Sequence, residues 1–376
     1  MFRDSPRSSP RARGGLWLQH WKAALAVALM AVYSLSSFRP LSAAELEAHP
    51  EFPHIFWDLK PTKKGVSQVG ESRGGPFEIS WEVHGTGATH IVWIMGLGAF
   101  KEAWQRQTKD FGHAQGDKYS CLILDNRGIG GSSKPMSRYS TSEMARDVYE
   151  VMAHLGWTAK PRSVNVVGIS MGGMIAQELA YLAPDLVASL ALVSTAPRIV
   201  NTVGWVENLR NRINLFLPKS VDRQIELTKH NMYTTQFLDG PDSTEPVVKP
   251  FPTNGDRFAA GEVAKRQDPT KFSRVGFVCQ AVAAGWHHKS PEQLREVGDK
   301  VGRERICVVH GTQDRMLTFR HAEMLLEDLG GEQAGVTKYF YDGQGHVIPI
   351  EKRKEFFDII AGMVKKGQDA NAKAGI

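Results

Sequence analysis

Gly168-Ile169-Ser170-Met171-Gly172 reads G-x-S-x-G, and what stands on either side of it decides the fold. An apolar run, Val164-Asn165-Val166-Val167, leads into it. Gly173-Met174-Ile175-Ala176-Gln177-Glu178-Leu179-Ala180 leaves it with helical character. Strand, tight turn between glycines, then helix is the context in which a serine hydroxyl is held out at the carboxyl end of a strand. The turn forces its central residue into strained backbone geometry, and side chains at the flanking positions would collide with neighbouring backbone. The helix that follows offers its first N–H groups and its dipole to developing negative charge. Gly and Ser are common, so the pattern alone is a modest signal. The strand before it and the helix after it make Ser170 a candidate nucleophile rather than the tip of an ordinary strand–helix turn.

Outward from this turn the chain alternates between two periodicities. Phe77–His84 alternates apolar and polar residues without a break, the mark of a strand with one buried face. Gly85-Thr86-Gly87 ends it as a hairpin-like turn. The runs at 91–94, 121–124, 164–167, 190–193, 306–309 and 338–341 are short, and most are apolar throughout, as in a sheet covered on both faces. Ser140 and Glu143 have the spacing of a capping box, followed by a helix with Met144, Val148, Val151, Met152 and Leu155 on one face. Strands alternating with helices predict an α/β fold with a doubly wound, mostly parallel sheet. The rhythm breaks over 198–292, where helical fragments carry polar and aromatic residues and 239–256 is rich in Pro, Gly and Asp. An insertion late in the sheet predicts a helical cap, or lid, over the strand ends. The expected organisation is an N-terminal segment 1–45, a first core part 46–197, the cap 198–292 and a second core part 293–376.

With 376 residues, 42% hydrophobic and 23% charged, the chain can bury a substantial core. Its net charge of +6 is concentrated at the start, where Arg3, Arg7, Arg11, Arg13, Lys22 and Arg39 face only Asp4 and Glu45. The remainder is close to neutral and has no Lys/Arg stripe with interleaved aromatics, so nucleic acid is not an expected partner. Cys121, Cys279 and Cys307 are odd in number and show no pairing pattern, which argues against a disulfide framework. Ala23 to Leu35 is an uncharged apolar run of 13 residues, extended to 16 by Ser36, Ser37 and Phe38. A spanning helix needs about 20. Three readings stay open: a signal peptide with Ser42-Ala43-Ala44 at its cleavage site, a mitochondrial presequence, and an uncleaved membrane anchor. The length of the charged leader leans toward anchoring. Residues 23–38 therefore carry an expectation of a transmembrane helix, membrane association and a membrane-bound or organelle-targeted protein.

A serine hydroxyl is a poor nucleophile until a neighbouring base takes its proton, and the base must be held in one tautomer by an acid. His346 is one of 13 histidines, so its type alone says little. It lies in Gly343-Gln344-Gly345-His346, a glycine-rich loop straight after the last strand. Asp314 lies in His310-Gly311-Thr312-Gln313-Asp314, after the 306–309 run. The order Ser170, Asp314, His346 is the one expected when all three come from strand ends of such a sheet. The plainer alternatives are a solvated loop histidine and a turn-capping aspartate paired with Arg315. An oxyanion needs two backbone donors. Met171 N–H follows the nucleophile, and Leu97 N–H, in Met95-Gly96-Leu97-Gly98, follows the 91–94 strand. His287 and His288 are adjacent and have no spaced third ligand, so no metal is expected. No phosphate-loop pattern ends the glycines of 65–75, and no cofactor is expected. Trp93, Trp104 and Trp286 are read as core or pocket wall.

Five motifs together, Met95-Gly96-Leu97-Gly98, Asp125-Asn126-Arg127-Gly128-Ile129-Gly130-Gly131-Ser132, Gly168-Ile169-Ser170-Met171-Gly172-Gly173, Gly311-Thr312-Gln313-Asp314 and Gly345-His346, resemble the α/β-hydrolase superfamily over about residues 65–366. The D-x-R-G-x-G-x-S element resembles the branch of lipases, esterases, epoxide hydrolases and cofactor-free haloperoxidases. The resemblance implies the sheet, the triad Ser170, Asp314 and His346, and a cap between the sixth and seventh strands. It also implies that Asp125 and Arg127 build a structural turn. Two departures count. Met95-Gly96 stands where many relatives have His-Gly. Ser170 stands where the epoxide hydrolases and haloalkane dehalogenases have Asp, which argues for acyl chemistry. The expected function is a serine hydrolase acting on a carboxylic ester or related acyl compound, with Leu97 and Met171 as oxyanion donors. Acyl transfer, thioester hydrolysis, carbon–carbon bond hydrolysis and a non-catalytic binding role are the alternatives. Trp205, Leu215, Phe216, Leu217, Met232, Tyr233 and Phe237 in the cap point to an apolar small-molecule substrate. The oligomeric state is not legible.

Overall fold

The computed structural model describes residues 39–202 and 220–376, and the fold is that of the compact unit Ala43–Ile376. The strands are β1 (Lys63–Val69), β2 (Phe77–His84), β3 (Thr89–Ile94), β4 (Tyr119–Leu124), β5 (Val164–Ile169), β6 (Val187–Val193), β7 (Ile306–Gly311) and β8 (Thr337–Tyr341). They make one eight-stranded sheet in the order β1-β2-β4-β3-β5-β6-β7-β8. The pairs β1–β2 and β2–β4 are antiparallel, and all pairs from β4 onward are parallel. The fold is thus the expected α/β architecture with a mostly parallel sheet. The chain leaves β3 toward β4 on one side and returns to β5 on the other. A crevice opens between loops that diverge in this way, at the carboxyl ends of the strands.

Successive side chains of a strand point to opposite faces, and the inner strands fill both. Val92, Leu122, Leu124, Val166, Leu190, Leu192 and Val308 join one buried cluster. Their neighbours Ile91, Trp93, Cys121, Ile123, Val167, Ala191, Val193 and Cys307 join another. On the first face lie α1 (Thr141–His154) and α2 (Met171–Leu182), which bury Met144, Val148, Val151, Met152, Ile175 and Leu179. On the second, a helical stretch through Phe111 and the C-terminal helix bury Trp104, Phe111, Phe356 and Ile360. Between β6 and β7 the described residues form α3 (Val221–Met232), a short helix Thr235–Asp239, α4 (Asn254–Gln267), α5 (Arg274–Gly285) and α6 (Pro291–Val301). After β7 come α7 (Phe319–Asp328) and, last, α8 (Arg353–Ala374).

Several local expectations change. The turn after β2 is not a hairpin, because β2 pairs with β4 and β3 lies on the far side of β4. β1 was not legible as a strand: Ser67 is one of its two buried residues and carries an oxygen, which accepts the Trp81 indole N–H at 2.8 Å. The bulk of Trp81 takes the space that an apolar β1 residue would fill. Only half of the Ser140 capping box forms, since Ser140 Oγ accepts Glu143 N–H at 3.1 Å while the Glu143 carboxylate reaches Arg73 at 2.8 Å. Trp93 and Trp104 are core, but Trp286 is 72% exposed and is neither core nor pocket wall.

The membrane expectation does not stand. Among the described residues no helix is long and apolar enough to cross a membrane. The transmembrane helix, the membrane association and the membrane or organelle localisation drawn from it are withdrawn on that finding. The apolar run 23–38 itself lies outside the described residues, as do Trp205, Leu215, Phe216 and Leu217.

Candidate active site

Ser170 occupies the turn between β5 and α2 with φ 57° and ψ −124°, a region that non-glycine residues enter only when their surroundings force them. The forcing is visible in its neighbours. A Cβ on Gly168 would stand 2.2 Å from Gly172 O, and one on Gly172 would stand 2.1 Å from Ile94 O. Only glycine lets β3, β5 and the start of α2 come this close. Ser170 N–H donates to Val193 O at 2.9 Å, and Thr195 Oγ1–H donates to Ser170 O at 2.7 Å. The backbone is thereby held on both sides of the turn.

The other two residues come from neighbouring strand ends. Asp314 follows β7, His346 follows β8, and Gln313 N–H donates to Gln344 O at 2.9 Å between the two loops. His346 Nδ1 and Asp314 Oδ2 are 2.6 Å apart, with both side chains buried. A carboxylate only accepts, so Nδ1 carries the proton of this bond and Nε2 is left as the basic nitrogen. The other oxygen of Asp314, Oδ1, accepts Met316 N–H at 2.8 Å and Leu317 N–H at 2.9 Å. Burial alone would raise this carboxyl, but the charge of His346 and the hydrogen bonds of His310 and His346 outweigh it. The carboxyl is held well below the usual range and stays ionised. Arg315 turns away and donates to His230 O at 3.0 Å, so the surface pairing that competed for Asp314 does not form.

The structure brings Asp314 and His346 into direct contact and places Ser170 on the same sheet edge. No hydrogen bond joins Ser170 Oγ to the His346 ring. Such bonds are often long without substrate and tighten when it binds. The loop Met95-Gly96-Leu97-Gly98 lies against the serine: a Cβ on Gly96 would stand 3.1 Å from Ser170 Cβ and 3.6 Å from its Oγ. Neither Leu97 N–H nor Met171 N–H has an acceptor among the described residues. For Met171 the reason is its place at the first turn of a helix, where N–H groups have no intrahelical partner.

Three functional neighbours were missed in the sequence. His310, fully buried on β7, places Nε2 2.8 Å from Leu317 O and 3.2 Å from Asp314 Oδ2, a second nitrogen on the same carboxylate. Its position four residues before Asp314 was the available signal. Gln280 of α5 is buried, accepts Gly98 N–H at 2.9 Å and donates to Arg127 O at 2.8 Å. Nothing in the sequence links residues so far apart. Glu351 Oε2 accepts the N–H of Gly345, next to His346, at 3.2 Å. Of the cap residues read as apolar lining, Tyr233 stacks on Phe237 at 5.2 Å, and Met232 O accepts His346 N–H at 2.8 Å. Asp125 and Arg127 are structural, as the resemblance implied. Asp125 takes Lys101 N–H at 2.8 Å and Gly131 N–H at 3.0 Å. Arg127 forms a fork on Asp147 with both bonds at 2.6 Å.

Comparison with known proteins agrees with this geometry. The family model of the alpha/beta hydrolase fold matches residues 89–353. A protein of Azorhizobium caulinodans named "Putative carbamate hydrolase RutD" is 31% identical over 144 residues, 38% of this chain and 51% of that protein. The chain thus spans about half the length of that relative. The 3-oxoadipate enol-lactonase 2 of Acinetobacter baylyi is 23% identical over 278 residues, 73% of this chain and 88% of its own. Among solved structures, a thermophilic esterase from Thermogutta terrifontis superimposes with a TM-score of 0.62 at 18% identity, over 81% of this chain and 99% of that one. With the matched region covering most of the sheet, the elbow and both loops of the Asp314–His346 pair, the chain belongs to the α/β-hydrolase fold family.

Proposed function

We propose that the chain is a serine hydrolase that cleaves a carboxylic ester or related small acyl compound. The observation that carries the reading is the 2.6 Å bond between His346 Nδ1 and Asp314 Oδ2, formed at the same edge of the sheet as a strained serine at the head of a helix. In this reading Ser170 Oγ attacks the acyl carbon, and His346 Nε2 takes the hydroxyl proton. The carbonyl π pair moves onto oxygen, where Leu97 and Met171 N–H receive it; each donor is worth on the order of 3 kcal/mol of barrier. The tetrahedral adduct collapses to an acyl-serine as the leaving group departs with the proton from His346. Water, deprotonated by the same nitrogen, then attacks the acyl carbon, and Ser170 regains its proton. Asp314 orients the ring and stabilises its charged form without itself being protonated. The described helices between residues 220 and 292 act as a lid over the strand ends, with Met232 and Gln280 among its hydrogen-bonded seats on the core.

The test uses the full chain and a fluorophosphonate probe, with a panel of p-nitrophenyl esters. Wild type is expected to label at one serine and to hydrolyse at least some esters. Ser170→Ala is expected to lose labelling and ester turnover while keeping its melting temperature. Ester hydrolysis retained by that variant sinks the assignment.

A further inference from the structure

A cavity lies under the turn between the helix Thr235–Asp239 and α4. It measures about 400 Å³, and Arg106, Gln236, Ser243, Glu351 and Arg353 are among its walls. None of the residues assigned to the acyl chemistry lines it.

Its charge balance is unusual. Arg106 has no carboxylate partner among the described residues; Nη2 donates to Thr244 Oγ1 at 2.6 Å, and the ring of Trp57 lies 5.9 Å from Cζ. Three neighbouring carboxylates are committed to other cations. Asp110 is forked by Arg353 at 2.9 and 2.6 Å, Asp242 holds Arg257 at 2.6 Å, and Glu245 holds Lys109 at 2.7 Å. A half-buried guanidinium whose remaining N–H groups find no anion has lost hydration without compensation. Burial and the charges of Arg257 and Arg353 press its pKa down to about 10. Across the cavity, Glu351 Oε1 is buried with no hydrogen-bond partner. Burial raises this carboxyl to about 7, so near neutral pH its protonated form, which can donate, is well populated. Arg106 and Glu351 therefore offer unused donors to one space, and an oxyanion is the chemical group that accepts from both. Planar or tetrahedral oxyanions also match the fork of a guanidinium.

We propose that this cavity binds a small oxyanion, the carboxylate or phosphate group of a small molecule, on Arg106. The carboxyl wall at Glu351 links the site to the His346 loop through the Gly345 N–H, one hydrogen bond from the residue next to His346. The test is a titration of the full-length protein with sodium succinate and, separately, with inorganic phosphate, followed by calorimetry at constant ionic strength with chloride as the balancing ion. Saturable binding of either anion is expected, and which of the two binds distinguishes a carboxylate from a phosphate ligand. Arg106→Gln is expected to weaken it at least tenfold. Gln236→Trp, a change at an exposed position on the cavity wall, is expected to weaken it as well and guards against a misfolded Arg106 variant. Binding of neither anion to wild type, or equal binding to wild type and to both folded variants, overturns the proposal. The readout is heat of binding, so it stands or falls separately from ester hydrolysis.

Discussion

At the scale of single residues the site is a set of forced conformations and directed bonds. Ser170 is held at φ 57° because the backbone of β3, β5 and α2 converges on it. Asp314 spends one oxygen on two backbone N–H groups and the other on two imidazoles, so its orientation is over-determined. Replacing it by Asn keeps the size but lets the amide favour the wrong tautomer of His346. Asp314→Asn is expected to lower kcat on the order of 10³- to 10⁴-fold with little change in KM, measured on any ester the wild type hydrolyses. A loss within about tenfold would mean that Asp314 is only a turn residue. Both residues were legible in the sequence because each sits in a short glycine-containing loop directly after an apolar strand. His310 was not: a histidine inside a strand reads as one more buried ring, and only the fold turns it toward Asp314.

At the scale of elements, helix α5 holds the loop 95–98, the proposed oxyanion loop, in place. Gly276 lies so close to Gly128 that a Cβ there would stand 1.9 Å from Gly128 O. That approach lets Gln280 reach Gly98 and Arg127 at once. Gln280→Leu keeps the volume and removes both bonds, leaving a buried N–H and a buried C=O without partners. The expected cost is about 1–3 kcal/mol of stability. Fluorophosphonate labelling of Ser170 is expected to slow roughly tenfold, since a loose loop misplaces one oxyanion donor. Labelling at the wild-type rate alongside a lowered melting temperature would make Gln280 a packing residue only. The helices of the insertion were legible as a break in rhythm, but their contacts were not. Tyr233 and Phe237 read as a substrate wall because aromatic residues on a cap resemble a pocket lining; the fold stacks them on each other and leaves Phe237 on the wall of the cavity that holds Arg106.

At the scale of the whole molecule, stability is tied to pH through carboxyls shifted in opposite directions. Asp314 and Glu51 are held below their unfolded values, against the effect of burial, by hydrogen bonds and neighbouring charge. Their contribution is present above about pH 4 and is lost as pH falls through the folded values. Glu351 runs the other way. Burial lifts it to about 7, above its unfolded value, so its contribution is present at low pH and is lost as pH rises through about 7. Glu351→Gln is therefore expected to melt a few degrees higher than wild type at pH 8 and close to it at pH 4.5, read from thermal scans at both pH values. A variant no more stable than wild type at pH 8 contradicts the linkage. The sheet was largely legible because inner strands covered on both faces are apolar in a way that few other segments are. β1 escaped because a strand at the sheet edge needs little apolar surface, and the pairing of β2 with β4 escaped because strand order is a property of three dimensions. The membrane reading rested on an apolar run already short of a spanning length and on the long charged leader before it, and no described helix is long and apolar enough to support it. The most direct test of the account is a crystal structure of the full chain after reaction with a fluorophosphonate. The account predicts phosphorus bonded to Ser170 Oγ, its oxygen about 2.7–3.1 Å from both Leu97 N and Met171 N, and His346 Nε2 facing the serine oxygen. Phosphorus on another side chain, or an oxygen turned away from both N–H groups, contradicts it.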